Sequence, residues 1–259
     1  MALLSFSIAE VLRFAIVLMR ITGIMLCAPF FSSQSIPVQI RIVFTLVATL
    51  ALTPSLPLKA IPADFQLSDI ASLFLGEVMF GVILGLAASL VFAGIQFAGQ
   101  IISLQLGFSL INLIDPQSNV ESSVFSFLQN YIGLLFFLLM NGHHWFLIAI
   151  NESFQALPVG GIQIHASLAE GLIRLSAQIL TIALRIAGPV IAVSVITDVV
   201  MGVLSRAAPQ VNVLIIGLPA KIMVGFGCLS VSFYFMPRFF ESIFSSLHKT
   251  IYSLMQMMI

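Results

Sequence analysis

Apolar residues run along this chain in long blocks separated by short polar or proline-bearing breaks. Six of these blocks approach or exceed the roughly 20 residues that a helix needs to cross a bilayer core of about 30 Å. They extend over Ile8 to Phe30, Val38 to Leu58, Ile70 to Ile102, Val124 to Phe154, Leu168 to Val200 and Val211 to Met236. A segment in lipid must satisfy its own backbone hydrogen bonds, so all six are predicted to be helical.

Local signals mark the ends of these blocks. Ser7 with Glu10, Ser118 with Glu121, and Ser167 with Glu170 have the S-x-x-E spacing of a capping box, which places the starts of the first, fourth and fifth helices. Pro54, Pro57 and Pro62 stop the second helix, and Pro158, Gly160 and Gly161 stop the fourth. Pro189 and Pro219 fall inside the fifth and sixth, where a missing donor and a ring clash predict kinks. The third block turns polar but uncharged from Gly94 through Gln96, Gly99, Gln100 and Gln105, which suits a protein-lined cavity better than lipid. Beyond Pro237 the period changes. Phe240, Ile243, Phe244, Leu247, Ile251, Leu254, Met255 and Met258 fall on one stripe, which predicts an amphipathic helix for the membrane surface or for a partner.

Composition sharpens this into a fold class. Hydrophobic residues make up 60% of the 259 and charged ones only 8%, against about 25% charged in a soluble domain. The expectation is therefore an all-α multi-pass membrane protein. No polar linker divides the chain, so it reads as one domain over 1–259: helices one to three over 8–102, a loop over 103–123, helices four to six over 124–236 and the amphipathic helix over 237–259. Formal net charge is zero with no basic cluster, which excludes nucleic acid as a partner and leaves lipid and other apolar proteins. Cys27 and Cys228 lie in apolar blocks and read as small buried hydrophobes. Arg13 and Arg20 interrupt the first block and no basic stretch precedes it, so it is expected to remain in the mature protein rather than to act as a signal peptide. Lys59, Arg238 and Lys249 fall on one side of a six-span arrangement and Arg41 and Arg206 on the other, which slightly favours a cytoplasmic C-terminus.

Charges inside the apolar blocks carry more information. A central Arg, Lys or Asp costs about 2.5–3.5 kcal/mol on insertion scales, yet Arg13, Arg20, Glu77, Arg174, Arg185, Asp198 and Lys221 all lie there. Arg13 and Arg20 share one helical face with Glu10 near the same stripe. Such residues snorkel, pair between helices, or meet other proteins or an aqueous path. Gly81, Gly85 and Ser89 form a small-residue ridge that marks close helix packing.

Two breaks stand out. The stretch from Gln105 to Pro116 is apolar, but Gly107 and Asp115-Pro116 prevent a continuous helix. It reads as a re-entrant loop with Phe108, Leu110 and Ile111 as occluding side chains, or as a buried connector. Asn141-Gly142-His143-His144 interrupts the fourth helix; adjacent histidines on a helix diverge, so a structural turn is favoured over a metal site. No H-E-x-x-H, G-x-S-x-G, P-loop or C-x-x-C occurs, so neither an enzyme nor a cofactor is expected. A serine protease built on Ser109 and His143 lacks an orienting group for its base. The rival of another class is a small-solute transporter that holds its substrate at the broken third helix.

Several motifs in order then resemble a known family. Arg20-Ile-Thr-Gly-Ile-Met comes first, with Ala28-Pro29-Phe30 and Pro37. Gln105-Leu-Gly-Phe with Asp115-Pro116 follows, then Asn141-Gly142-His143-His144 with Ser153-Phe154 and Pro158, and last Gly202-x-x-x-Arg206-x-x-Pro209-Gln210-x-Asn212. Together these resemble the FliR family of flagellar type III export-gate subunits, and less closely its injectisome counterpart, over about residues 10 to 230. The resemblance implies assembly with FliP-type and FliQ-type subunits, contact with an FlhB-type switch protein, and passage of unfolded flagellar proteins across the bacterial inner membrane within the flagellar basal body. It implies helical hairpins packed on neighbouring subunits, some above the bilayer plane. It also implies a plug over Gln105 to Pro116, with Ile111 and Asn112 standing where many relatives have a small residue, and assembly roles for Arg206, Pro209 and Gln210.

Overall fold

The computed structural model describes residues 7–29, 31, 36–56, 67–108, 124–157, 159–160, 165–210 and 212–258. Among these the chain forms seven α-helices and no strand: α1 Ile8–Cys27, α2 Val38–Leu52, α3 Leu67–Gln105, α4 Val124–Leu139, α5 Gly142–Ala156, α6 Ala166–Ala207 and α7 Val213–Met257. The protein is all-α, as the apolar blocks require. Three helices are long and apolar enough to cross a membrane, over Ser68–Gln105, Ala166–Ala207 and Ile215–Met257, and a fourth crossing results if α4 and α5 act as one broken span. Among the described residues, three or four of the six expected blocks are thus long and apolar enough to span. The second block loses its span because α2 has 15 residues, or about 22 Å. It ends before the expected Leu58, in the 3-10 turn Thr53–Ser55 that carries Pro54.

The capping box at α1 is present in both halves. The Ser7 hydroxyl accepts from the Glu10 amide at 3.3 Å and the Glu10 carboxylate accepts from the Ser7 amide at 3.0 Å. The Ser118–Glu121 box lies outside the described residues. The Ser167 box does not form: α6 begins at Ala166, so Ser167 already has helical backbone and cannot sit at the cap. The fourth block divides at Asn141, whose φ of 57° and ψ of 32° are left-handed, a conformation that asparagine adopts more readily than most residues.

Three prolines lie inside continuous helices. α6 continues through Pro189 and α7 through both Pro219 and Pro237. Residues 237–259 are therefore no separate surface helix: α7 extends to Met257, and Phe240, Phe244, Leu247, Ile251, Leu254, Met255 and Met258 on the predicted stripe are buried by the chain itself.

Contacts cluster into two compact units. The first contains Met1–Leu90, Asn141–Leu175 and Ser245–Ile259; the second contains Val91–Met140 and Ser176–Phe244. In the first, α1 crosses α3 where Gly23 meets Gly81: a Cβ on Gly81 would stand 2.9 Å from the Gly23 Cα and closer still to the Arg20 carbonyl. Gly85 continues the ridge against Ile24 and Cys27, while the Ser89 hydroxyl turns back to the Leu86 carbonyl of its own helix. The second unit has its own core of Ile102, Leu106, Phe125, Ala187, Val190 and Leu229.

Candidate functional site

The most elaborate polar arrangement surrounds Arg20, and it is assembled from three helices of the first unit. Both Arg20 and Glu77 have side chains with 0% exposure, and Arg20 Nε stands 2.6 Å from Glu77 Oε2. Nη1 donates to the Ser153 hydroxyl at 3.1 Å and Nη2 to the Leu157 carbonyl at 3.4 Å. The other Glu77 oxygen accepts from the Gly160 amide at 3.4 Å. Phe80 and Phe154 cover the guanidinium, with ring centroids 4.5 and 3.8 Å from Cζ. A buried charge is costly unless it is paired and hydrogen-bonded, and here both ions have several partners. Gly160, at φ +77°, takes the left-handed backbone that presents its amide to Glu77. The network therefore locks α1, α3 and α5 together and fixes the turn that follows α5.

Arg13 and Glu10 do not join it. Glu10 is engaged in the cap of α1, and Arg13 Nε is buried without a hydrogen bond.

The second site lies in the second unit, at the C-terminal end of α3. Gln105 accepts from the Ser194 hydroxyl of α6 at 3.0 Å. Gly107 follows at φ +83°, a conformation that favours glycine and turns the chain out of α3. The Phe108 ring then packs edge-on to Phe125 at 5.1 Å, and Phe125 in turn meets Phe226 at 5.7 Å. In the chain by itself Phe108 thus rests on the core rather than standing clear of it. Leu110, Ile111, Asp115 and Pro116 lie outside the described residues. Nearby, Gln96 donates to Asn130 at 3.0 Å, whereas Gln129 is fully buried with neither amide atom bonded.

The remaining expected residues are scattered. Pro37 is the N-cap residue of α2, Pro29 is half-buried beyond α1, and Asn141 and Gly142 form the break before α5. The His143 and His144 rings lean together, with centroids 4.3 Å apart, so the expected divergence fails at the first turn after Asn141. Among the described residues no group of three His, Cys, Asp or Glu forms around them or elsewhere. Arg206, Pro209 and Gln210 are exposed at the end of α6 and in the turn beyond it. Arg174 pairs loosely with Glu170 at 3.7 Å on an exposed face. Lys221 of α7 pairs with Asp198 of α6 at 2.7 Å, and Arg185 stands exposed on α6.

Phe80, Phe125, Ser194 and Gln129 were not singled out in the sequence. Their only signal was a polar or aromatic residue in an apolar helix, a pattern too common here to select among.

Long apolar helices joined by a buried ion pair, with further charges on apolar faces, define a multi-pass helical membrane protein organised around side-chain contacts between its helices. A family model described as bacterial export proteins, family 1, matches residues 11–247. Similar curated proteins include the flagellar biosynthetic protein FliR of Escherichia coli K12, 29% identical over 232 residues that cover 89% of this chain and 87% of the relative. FliR of Pectobacterium carotovorum is 32% identical over 87% of this chain and 86% of its own length. FliR of Bacillus subtilis 168 is 32% identical over 88% and 90%. The chain belongs to the FliR family of bacterial export proteins. It is accordingly a membrane-embedded component of flagellar export.

Proposed function

We propose that this chain is the R-type subunit of the flagellar type III export gate, a non-enzymatic element of the channel through which unfolded flagellar proteins cross the inner membrane in the basal body. The observation that carries this reading is the surface left uncovered on α6 and α7. Val195, Ile196, Val199, Val203, Met223 and Phe235 are exposed there, beside Asp198 at 57% side-chain exposure and exposed Arg185. Acyl chains suit the apolar residues and oppose the ions, at about 2.5–3.5 kcal/mol each near the bilayer centre. Neighbouring proteins with apolar helices and polar atoms satisfy both. P-type and Q-type subunits supply that cover, and an FlhB-type switch protein contacts the assembly.

The seal is assigned to the segment that follows Gln105 and Gly107, with Phe108, Leu110 and Ile111 as occluding side chains and Asp115-Pro116 as its far boundary. Two support points at and just beyond the end of α3, the Gln105–Ser194 bond and the Phe108–Phe125 contact, give that segment a fixed root.

Copurification with P-type and Q-type subunits is the direct test. A single complex containing this chain is expected, and recovery only as a solute-binding monomer overturns the reading in favour of a small-solute transporter. Shortening the segment between Gly107 and Ile114 is expected to make the gate leak ions in cells. An unaltered leak removes its role as a seal.

A further inference from the structure

Backbone bonds and a glycine on another helix together determine where α3 ends. The Gly107 amide donates to the Leu104 carbonyl at 3.1 Å and the Phe108 amide to the Ser103 carbonyl at 3.0 Å, which completes a Schellman cap around the left-handed Gly107. Phe108 therefore leaves α3 in a direction set by the cap, and the cap is placed by Leu106 just before it. Leu106 is fully buried, and α7 makes room for it at Gly225. A Cβ on Gly225 would overlap Leu106 Cδ2 and stand 3.3 Å from both Cδ1 and Cγ. Leu106 has little space to turn away, because Ile102, Phe125, Ala187, Val190 and Leu229 fill the same core. Gly227, two residues further along α7, has nothing within 4 Å of the same position. Glycine inside a helix is disfavoured against alanine, and of these two it is Gly225 whose packing requires it.

The two helices that hold the end of α3 are themselves tied together. Gln105 is bonded to Ser194 of α6, and Asp198 lies one turn further along that helix. Lys221 lies one turn before Gly225 on α7, and its ion pair with Asp198 at 2.7 Å joins α7 to α6. Next to Gly225, Phe226 meets Phe125, the ring on which Phe108 rests. We propose that Gly225 is a positioning residue for Phe108: its notch seats Leu106, and the cap that follows carries Phe108 onto Phe125 in the sealed state. This inference rests on the export-gate reading. A larger residue at 225 pushes Leu106, and the cap with it, away from α7, and Phe108 leaves its place.

The test is ion leak in cells that express the full-length chain with P-type and Q-type subunits, with the yield of copurified complex measured alongside. Gly225→Ala is expected to raise the leak about ten-fold at unchanged yield, the shift that moderate overpacking of a core gives to a two-state balance. Gly227→Ala is expected to stay tight. Leu106→Ala empties the notch from the other side and is expected to leak as well; it carries the test if Gly225→Ala does not assemble. The double change Gly225→Ala with Leu106→Ala refills the notch and is expected to leak less than either single change. A tight Gly225→Ala or a tight Leu106→Ala, beside a leaking chain shortened between Gly107 and Ile114, overturns the proposal and leaves the export-gate reading standing. If the shortened chain is tight too, the seal reading fails and the proposal fails with it. Equal leak from Gly225→Ala and Gly227→Ala overturns it in favour of a general weakening of α7. Leak in proportion to lost yield overturns it in favour of an assembly defect, and a double change as leaky as Gly225→Ala overturns it in favour of a route that bypasses Leu106.

Discussion

Arg20–Glu77 in the first unit and Lys221–Asp198 in the second are both ion pairs between long helices in apolar surroundings, but the chain finishes only the first. Around Arg20 two aromatic rings, a hydroxyl, a carbonyl and a backbone amide complete the coordination of both ions, and neither is exposed. Around Lys221 the ammonium takes both Asp198 oxygens at 2.8 and 2.7 Å, yet 57% of the Asp198 side chain is uncovered. The difference separates an ion pair that this chain closes on all sides from one that it leaves open on its outer side.

The comparison can be broken most directly at Glu77. Glu77→Ala leaves the guanidinium buried without its counter-ion and is expected to cost about 3–5 kcal/mol. Chain accumulation in membranes and unfolding temperature in detergent should both fall, and an unchanged unfolding temperature would show that the closed network is not what holds the first unit. The double change Arg20→Met with Glu77→Leu is expected to recover most of the loss, because apolar replacements of similar volume commonly substitute for a buried pair.

Gly81→Ala tests the approach that brings Arg20 and Glu77 together. Its new methyl meets the Arg20 carbonyl and the Gly23 backbone, neither of which can swing aside, and a loss of about 1–3 kcal/mol is expected by the same melting assay. Phe154→Leu removes the closer ring over the guanidinium and should cost about 1–2 kcal/mol; a melting temperature equal to wild type would reduce that ring to a bystander. The smallest effect on the lone chain belongs to Lys221→Ala, below about 1 kcal/mol because the pair is partly exposed. Its yield in copurification with P-type and Q-type subunits should fall all the same, and equal yield would place the Lys221–Asp198 face away from any neighbour.

Much of the helical content was legible because it is local. Ser7 and Glu10 cap α1 at the expected residue, the apolar stripe from Phe240 to Met258 is buried on its helical period, and Gly81 and Gly85 meet another helix. Asn141 breaks the fourth block where the Asn-Gly pair stands. What was not legible depends on distant parts of the chain. Glu10 lies on the stripe of Arg13 and Arg20, but the true partner of Arg20 is 57 residues away, and no spacing rule reaches that far. Pro189, Pro219 and Pro237 do not end their helices, because proline removes one donor and adds one clash, and neighbouring packing can outweigh both in a long helix. At the candidate seal, Gly107 announced the end of α3, but nothing nearby announced that Phe108 would find Phe125 or that Gln105 would find Ser194.

The left-handed residue at Asn141 has a consequence for biogenesis. α4 has 16 residues and α5 has 15, about 24 and 22 Å, so each half falls short of a bilayer's hydrocarbon thickness. An insertase that samples the nascent chain meets α4 first and finds a piece too short to settle alone. If α4 and α5 insert as one broken span, the second half must be delivered before release into lipid, so the joint at Asn141 bears on the timing of synthesis.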